Sequence, residues 1–202
     1  LRGTGSDSYT LEDLFVPEAY SLARDPGLKP RVDGDLYVFT PSTLYASSFA
    51  GIALGIARTM MTSFIREMRD TTPRGASRTR GESHVMQAHV GLNEARLRSA
   101  RTFLLVSVSD IWDAAQTQTE LTPEQLITIR MASTFAIQTA KDVVTTLYGA
   151  AGALAILSAK PFERRFRDMH TVTQQIQGHP AHFETLGQIL LGREPDRPMF
   201  TF

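Results

Sequence analysis

From residue 41 onward, apolar side chains return at intervals of three and four residues, the spacing that gathers them on one face of an α-helix. The pattern is longest between Thr122 and Ala159, where Leu126, Ile129, Ala132 or Ser133, Ala136, Ala140, Val143 or Val144, Leu147 and Ala151 recur. Thr122 can cap the amide of Gln125, Pro123 suits the first helical position, and Gln125 can reach back to close a capping box. Beyond Leu126 only Arg130, Lys141 and Asp142 are charged before Lys160, and small residues fill much of the remainder, so neighbouring helices can approach on more than one side. The spacing predicts the central helix of a bundle. A membrane span is not expected of it, because those charges and Gln138, Thr139, Thr145 and Thr146 interrupt every window of the required length.

The neighbouring patterns supply the rest of the bundle. A helix from Pro41 or Ser42 to about Arg69 turns Phe49, Ile52, Ala53, Ile56, Met60 and Phe64 inward. A second, from Glu82 to about Gln118, places Val85, Ala88, Leu92, Ala95, Ser99, Phe103 and Val106 on one stripe, with Glu94 and Arg98 one turn apart and Trp112 packing near its end. Pro161 opens or redirects a helix, FERRFRDMHTVTQQIQ, that ends at Gly178, and a last amphipathic helix covers residues 181 to 191. Upstream the period changes. Residues 9 to 16 partly alternate and predict an isolated strand stopped by Pro17, and Leu36 to Phe39 is the other candidate strand. Two such strands cannot complete a sheet. The expected fold is mainly α: a short β remnant with its connector over residues 1–40, a helical bundle over 41–192, and a tail over 193–202.

Composition narrows the function classes. A chain of 202 residues can bury one sizeable core, and 21 basic against 21 acidic residues leave no net field for nucleic acid or an anionic membrane. With no cysteine there is no thiolate chemistry, disulfide or zinc–cysteine site. A soluble, cytoplasmic protein is the expectation. The opening phrase LRGTGSDS, without methionine, reads as the middle of something longer.

Candidate chemistry lies in three places. The loop from Thr71 to Gly81, TTPRGASRTRG, is the most basic patch and is read either as an exposed solubilising loop or as a phosphate contact. Glu163 with Arg167 and Arg164 with Asp168 are each four residues apart, which suits helix-ordering ion pairs or an arginine oriented toward an anion. His170, Thr173, Gln174 and Gln177 can share a helical side. His179, His182 and Glu184 only superficially resemble metal ligands, and no metal is expected. No Walker loop, GxGxxG, G-x-S-x-G or zinc motif is present.

Three phrases in order, LRGTGSDSYTLEDLFVP at 1–17, QAHVGLNEARLRSARTFL at 87–104 and ERRFRDMHTVTQQIQ at 163–177, resemble the C-terminal half of the acyl-CoA dehydrogenase superfamily, including its flavin-dependent monooxygenase relatives. The resemblance implies a four-helix C-terminal bundle with a short β-domain remnant. It also implies a homodimeric or homotetrameric flavoprotein whose cofactor, FAD with FMN as the alternative, lies between the β domain and the bundle. Ser6, Arg74, Ser77, Arg78, Arg80 and Arg167 are its implied cofactor-binding residues. The aromatic-glycine phrase usual after the basic loop is absent, which leaves the loop residues interchangeable. Glu184 is the implied acid of the dehydrogenase branch and His170 the other catalytic candidate. Many monooxygenase relatives have histidine where this chain has Gln175, and a neutral amide cannot shuttle a proton.

The leading expectation is therefore an acyl-CoA-dehydrogenase-like enzyme acting on the CH–CH group of an acyl thioester, served by an electron-transfer or flavin-reductase partner. The alternatives are a flavin-dependent monooxygenase with an aromatic or heterocyclic substrate, and a noncatalytic assembly domain. Little or no turnover is expected of this polypeptide alone.

Overall fold

The structure, a computed structural model, describes residues 7–22 and 32–196. The chain divides into two compact units, Leu1–Asp33 and Gly34–Phe202. In the first, residues 9–16 form no strand, and the only regular element described is a 3₁₀ turn at Glu18–Tyr20. The expected strand fails for want of an edge: no described residue offers a ladder for its amides. Tyr9, Leu11 and Phe15 remain exposed.

The second candidate strand is also a turn. Asp35–Val38 winds as 3₁₀, because the Tyr37 amide donates to the Gly34 carbonyl at 3.0 Å and the Phe39 amide to that of Leu36 at 3.2 Å. This turn drops Phe39 onto Ile111 and Ile129 in a small satellite core, with the half-exposed Trp112 ring 6.4 Å away.

Five α-helices follow among the described residues: α1 Pro41–Asp70, α2 His84–Ala115, α3 Pro123–Ala151, α4 Phe162–Val172 and α5 Ala181–Leu190. α3 is central, packing against each of the other four. Its start forms as the capping residues dictate: Gln125 N donates to Thr122 Oγ1 at 3.3 Å and Thr122 N to Gln125 Oε1 at 2.8 Å, with Pro123 in the first turn. Its alanines let α1 approach closely, so Ala53, Ala57, Met60 and Phe64 pack with Ala136, Ala140, Val143 and Leu147 in one core. Phe162 and Met169 close that core from α4. α1 has an 18-residue window of mean hydropathy 1.3, long and apolar enough by composition to cross a membrane. Here it serves as a wall of the core, with 33% of that window buried.

Two inward stripes differ from expectation. On α1 the buried line runs through Ala46, Ala50, Ala53, Ala57, Met60 and Phe64, while Ile52 faces outward, 54% exposed. On α2 the phase is rotated: Asn93, Leu97, Ala100, Leu104, Ser107 and Ile111 are buried, and Val85, Leu92 and Val106 are exposed. Apolar residues occur on both sides of α2, so periodicity alone cannot select the inner one. Asn93 is tolerated inside because its side chain donates to the His89 carbonyl at 2.8 Å.

Candidate functional site

α4 is shorter than its pattern suggests, and the reason creates the most constrained place in the bundle. After Val172 the chain turns. Thr173 Oγ1 donates to the His170 carbonyl at 2.9 Å, and Gln175 Oε1 accepts from the Gln177 amide at 2.6 Å, so local side chains replace helical partners. The resulting 3₁₀ turn, Ile176–Gly178, lies against α3. Gly178 permits this contact, since a Cβ there would stand 2.7 Å from Ile137 Cγ2.

Arg130 holds the turn from below. Only 2% exposed, it donates through Nη1 to Gln177 Oε1 and through Nη2 to Ser42 Oγ, tying α3 to the turn and to the first residues of α1. Thr134 Oγ1 donates to the Gln177 carbonyl at 3.4 Å, and Gln138 Nε2 to that of Gly178 at 2.6 Å. Burial pulls the Arg130 guanidinium down to about 10, so it stays charged at neutral pH. His182 stands over the same turn, its Nε2 2.8 Å from the Ile176 carbonyl oxygen. Burial pushes its imidazole below the usual histidine range, against the opposing hydrogen bond that the ring donates to the Ile176 carbonyl, and repulsion from Arg130 adds to the lowering. Ser133 Oγ is buried without a partner in this region of α3.

The residues expected from sequence occupy other places. Ser6 lies outside the described residues. Arg78 and Arg80 line one cavity of about 420 Å³, together with Thr79, Glu82, Ser83 and Met86, whereas Arg74 and Ser77 stand exposed on the loop outside its lining. Arg80 Nη1 donates to the Ala151 carbonyl at 3.2 Å, where a cation meets the negative end of α3. Its Nε is buried with no partner. Glu82 is engaged locally, accepting from the Thr79 amide at 2.7 Å.

On α4, Arg167 pairs with Glu163 and Arg164 with Asp168 at 3.7 Å, both pairs at the surface. The Glu163 carboxylate raises the Arg167 guanidinium above its ordinary value. His170 stacks on Phe166 at 4.3 Å, which itself stacks on Tyr148 at 4.4 Å, and its Nε2 is 3.2 Å from Thr145 Oγ1. Glu184 is on the exposed side of α5. The side shared by His170, Thr173, Gln174 and Gln177 does not persist, because α4 ends before it: Thr173 and Gln177 are buried and Gln174 is exposed. His179 Nδ1 instead accepts from the Ala181 amide at 3.1 Å. No group of three metal-ligating side chains occurs among the described residues. Arg130 was missed as a site residue; its one signal was that it is the only charged side chain between Leu126 and Ala140, on the stretch expected to be the central helix.

The chain belongs to the acyl-CoA dehydrogenase C-terminal domain family, whose model matches residues 47–179. It is 25% identical over 195 residues to indole-3-acetate monooxygenase from Pseudomonas putida, covering 96% of this chain and 50% of that protein. It spans about half the length of the curated relatives it matches, which carry monooxygenase or hydroxylase names. XiaF from Streptomyces sp., solved with FADH2 and glycerol, superposes with a TM-score of 0.80 at 20% identity, over 94% of this chain and 50% of that one. Butyryl-CoA dehydrogenase from Megasphaera elsdenii shares the fold at a TM-score of 0.57 and 17% identity, over 74% of this chain and 38% of that one. Relatives therefore span both the monooxygenase and the dehydrogenase branches.

Proposed function

We propose that this chain is the C-terminal helical domain of a flavin-dependent monooxygenase acting on an aromatic or heterocyclic substrate, the alternative in the sequence reading rather than its leading expectation. The observation that carries the reading is that the matched curated relatives are named as monooxygenases or hydroxylases, of indole-3-acetate, p-hydroxyphenylacetate and resorcinol among them. The α4–α5 connection supports it. A dehydrogenase needs a carboxylate base, for which the resemblance offers the segment after α4, yet residues 169–183 contain neither Asp nor Glu, and Glu184 follows on the exposed side of α5.

A flavin fits the residues present at its phosphate end. Arg78 and Arg80 border one cavity, and the buried, unpartnered Arg80 Nε is a donor still to be used. Glu82, the acid in that lining, already accepts from Thr79. Bound flavin would supply the redox chemistry that passes an oxygen atom from dioxygen to the substrate ring. The chain's own part is positional. Arg130, Gln138 and Gly178 hold the α4–α5 turn, which fixes where Gln175 and His179 stand. Gln175 cannot carry a proton, so His170, held between Phe166 and Thr145, is the proton-carrying candidate.

The test uses the native-length protein with reduced FAD or FMN and dioxygen, offered a panel of phenols and indoles, with products identified by mass. Incorporation of one oxygen atom supports the monooxygenase. Failure of that panel, with anaerobic flavin bleaching and enoyl-thioester formation from saturated acyl-CoA substrates, would select the dehydrogenase branch instead.

A further inference from the structure

One face of α3 is polar along a helix that is otherwise largely apolar. Arg130, Thr134, Gln138, Lys141 and Thr145 follow one another at intervals of three or four residues, which at about 3.6 residues per turn keeps them within about a quarter of the helix circumference. Exposure rises along the line: Arg130 and Thr134 are buried, Gln138 and Lys141 are partly buried, and Thr145 is exposed. The first three hold Gln177 and Gly178 of the α4–α5 turn, and Thr145 meets the His170 ring. The face therefore leads from the interior of the bundle, past that turn, to the surface beside His170.

Lys141 stands apart on it. Its Nζ donates to the neutral Gln138 Oε1 at 2.7 Å and makes no ion pair among the described residues. That contact positions the ammonium without neutralising it. Gln138 Nε2 is committed to the Gly178 carbonyl at 2.6 Å, so the oxygen side of the amide is the one turned to Lys141. The neighbouring acids are turned away or taken. Asp142 is exposed and, as the next residue on the helix, does not share the face, while Glu163 and Asp168 of α4 pair with Arg167 and Arg164. Residues 169–183 contain neither Asp nor Glu. A partly buried ammonium, fixed in place and left without a counter-charge, is a place for an anion.

We infer that Lys141 binds the carboxylate of an aromatic acid whose ring then lies toward His170; this rests on the monooxygenase reading and narrows its substrate class. Thr145, which meets His170, comes four residues after Lys141, about 6 Å along the helix at about 1.5 Å per residue. That span is comparable with one aromatic ring, so a carboxylate on Nζ brings the ring to the imidazole assigned the proton. Phe166, stacked on His170 at 4.3 Å, offers an apolar wall beside it. An ammonium donates in three directions, and with one donor spent on Gln138 two are left for a carboxylate. The flavin phosphates are the other anions at hand, and Arg78 and Arg80 border the cavity proposed for them.

The experiment sets matched acids against neutral amides: 3-(4-hydroxyphenyl)propionate and indole-3-carboxylate, each with its primary amide. Calorimetry measures their binding to the native-length, flavin-loaded protein without turnover, and reduced FAD with dioxygen then tests their oxygenation. Flavin affinity is followed in parallel, for the unmodified protein, Lys141→Gln and Lys141→Arg. The expected result is that at least one acid binds about tenfold more tightly than its amide, as one charge-assisted hydrogen bond allows. Lys141→Gln should remove that preference and leave amide binding and flavin affinity unchanged, Lys141→Arg should keep it, and high ionic strength should shrink it. The inference is overturned if neither acid binds, if acids and amides bind alike, or if the preference survives Lys141→Gln. It is equally overturned if Lys141→Gln weakens acid and amide together, which is a structural loss, or weakens only flavin, which assigns the ammonium to a phosphate. The reaction is judged apart from this. Acids preferred through Lys141 yet never oxygenated leave the anion site standing without the monooxygenase, and oxygenation with no preference for the acids does the reverse.

Discussion

Arg130 and Arg167 are the same residue in opposite circumstances. Arg130 is 2% exposed, bonds to the neutral Ser42 and Gln177, and has its guanidinium pulled down to about 10 by burial. The Arg167 side chain is 67% exposed, bonds to the Glu163 carboxylate and is raised above its ordinary value. The arginine in the densest ionic run of the sequence thus sits at the surface, where water screens its pairing. The isolated one holds three pieces of backbone together. A charge is informative in proportion to what desolvates it, not to how many other charges stand beside it in the sequence.

The sharpest way to break this comparison is Arg130→Met, which keeps much of the side-chain volume and removes the donors. Ser42 Oγ and Gln177 Oε1 would lose their charged partner at a cost of about 1–3 kcal/mol each, offset partly because a charge is no longer buried. The expected net loss is about 2–4 kcal/mol, read as a fall in the urea midpoint at constant slope. A loss under about 0.5 kcal/mol would sink the clamp. Next in size is Gly178→Ala, whose Cβ would meet Ile137 Cγ2 at 2.7 Å. Overpacking of this kind costs about 1–3 kcal/mol. If the turn instead moves off α3, the Arg130 bonds loosen with it, so the two substitutions together should cost less than their sum.

How much of this was legible in advance follows from what periodicity measures. The cap at Thr122 and Gln125 and the central place of α3 could be read because a capping box and a small-residue helix are local signals. The phase of α2 could not, because Leu92 and Val106 make an apolar stripe as regular as the buried line of Leu97 and Leu104. The strands at residues 9–16 and at Leu36 to Phe39 were misread for a different reason: alternation describes a half-buried ladder, and the partner strand that decides the matter is nonlocal. The basic loop was recognised as a patch, yet only the fold separates Arg78 and Arg80, on the cavity, from Arg74 and Ser77 outside it. Arg130 could not be assigned from spacing, since both its partners come from elements distant in sequence.

His182 gives the comparison a pH axis. Its folded pKa lies below the ordinary histidine value of about 6.5, mainly through burial, so the native state resists the proton that the unfolded chain accepts. Stability is then full above about 6.5 and falls as the pH drops through the interval between that value and the folded pKa. Urea midpoints from pH 7.5 to 5 should decline over this range, and His182→Gln should flatten the decline. An identical slope in the variant would show that other groups carry it. Glu94 acts at lower pH. Hydrogen bonds from Arg58 and Arg98 hold its carboxyl below the usual range, so the stability it contributes is lost only below about 4.5, and the two effects separate.

The smallest expected effect is that of Arg167→Ala, and it tests the exposed half of the comparison. An arginine at the surface, paired only with Glu163 one turn back on its own helix, joins no two elements. Its removal should leave the urea midpoint unchanged within error. Flavin affinity of the native-length protein should also be unchanged, whereas Arg78→Gln, on the cavity lining, should weaken it several-fold and more at low ionic strength than at high. If Arg167→Ala lowers flavin affinity while stability and oligomeric mass hold, the surface pair orients a cofactor contact, and sequence density was the better guide. If it lowers oligomeric mass alone, Arg167 belongs to an interface between copies. With neither change, the ion pairs of α4 serve only to order its first turns, and Arg130 is the arginine on which this end of the bundle depends.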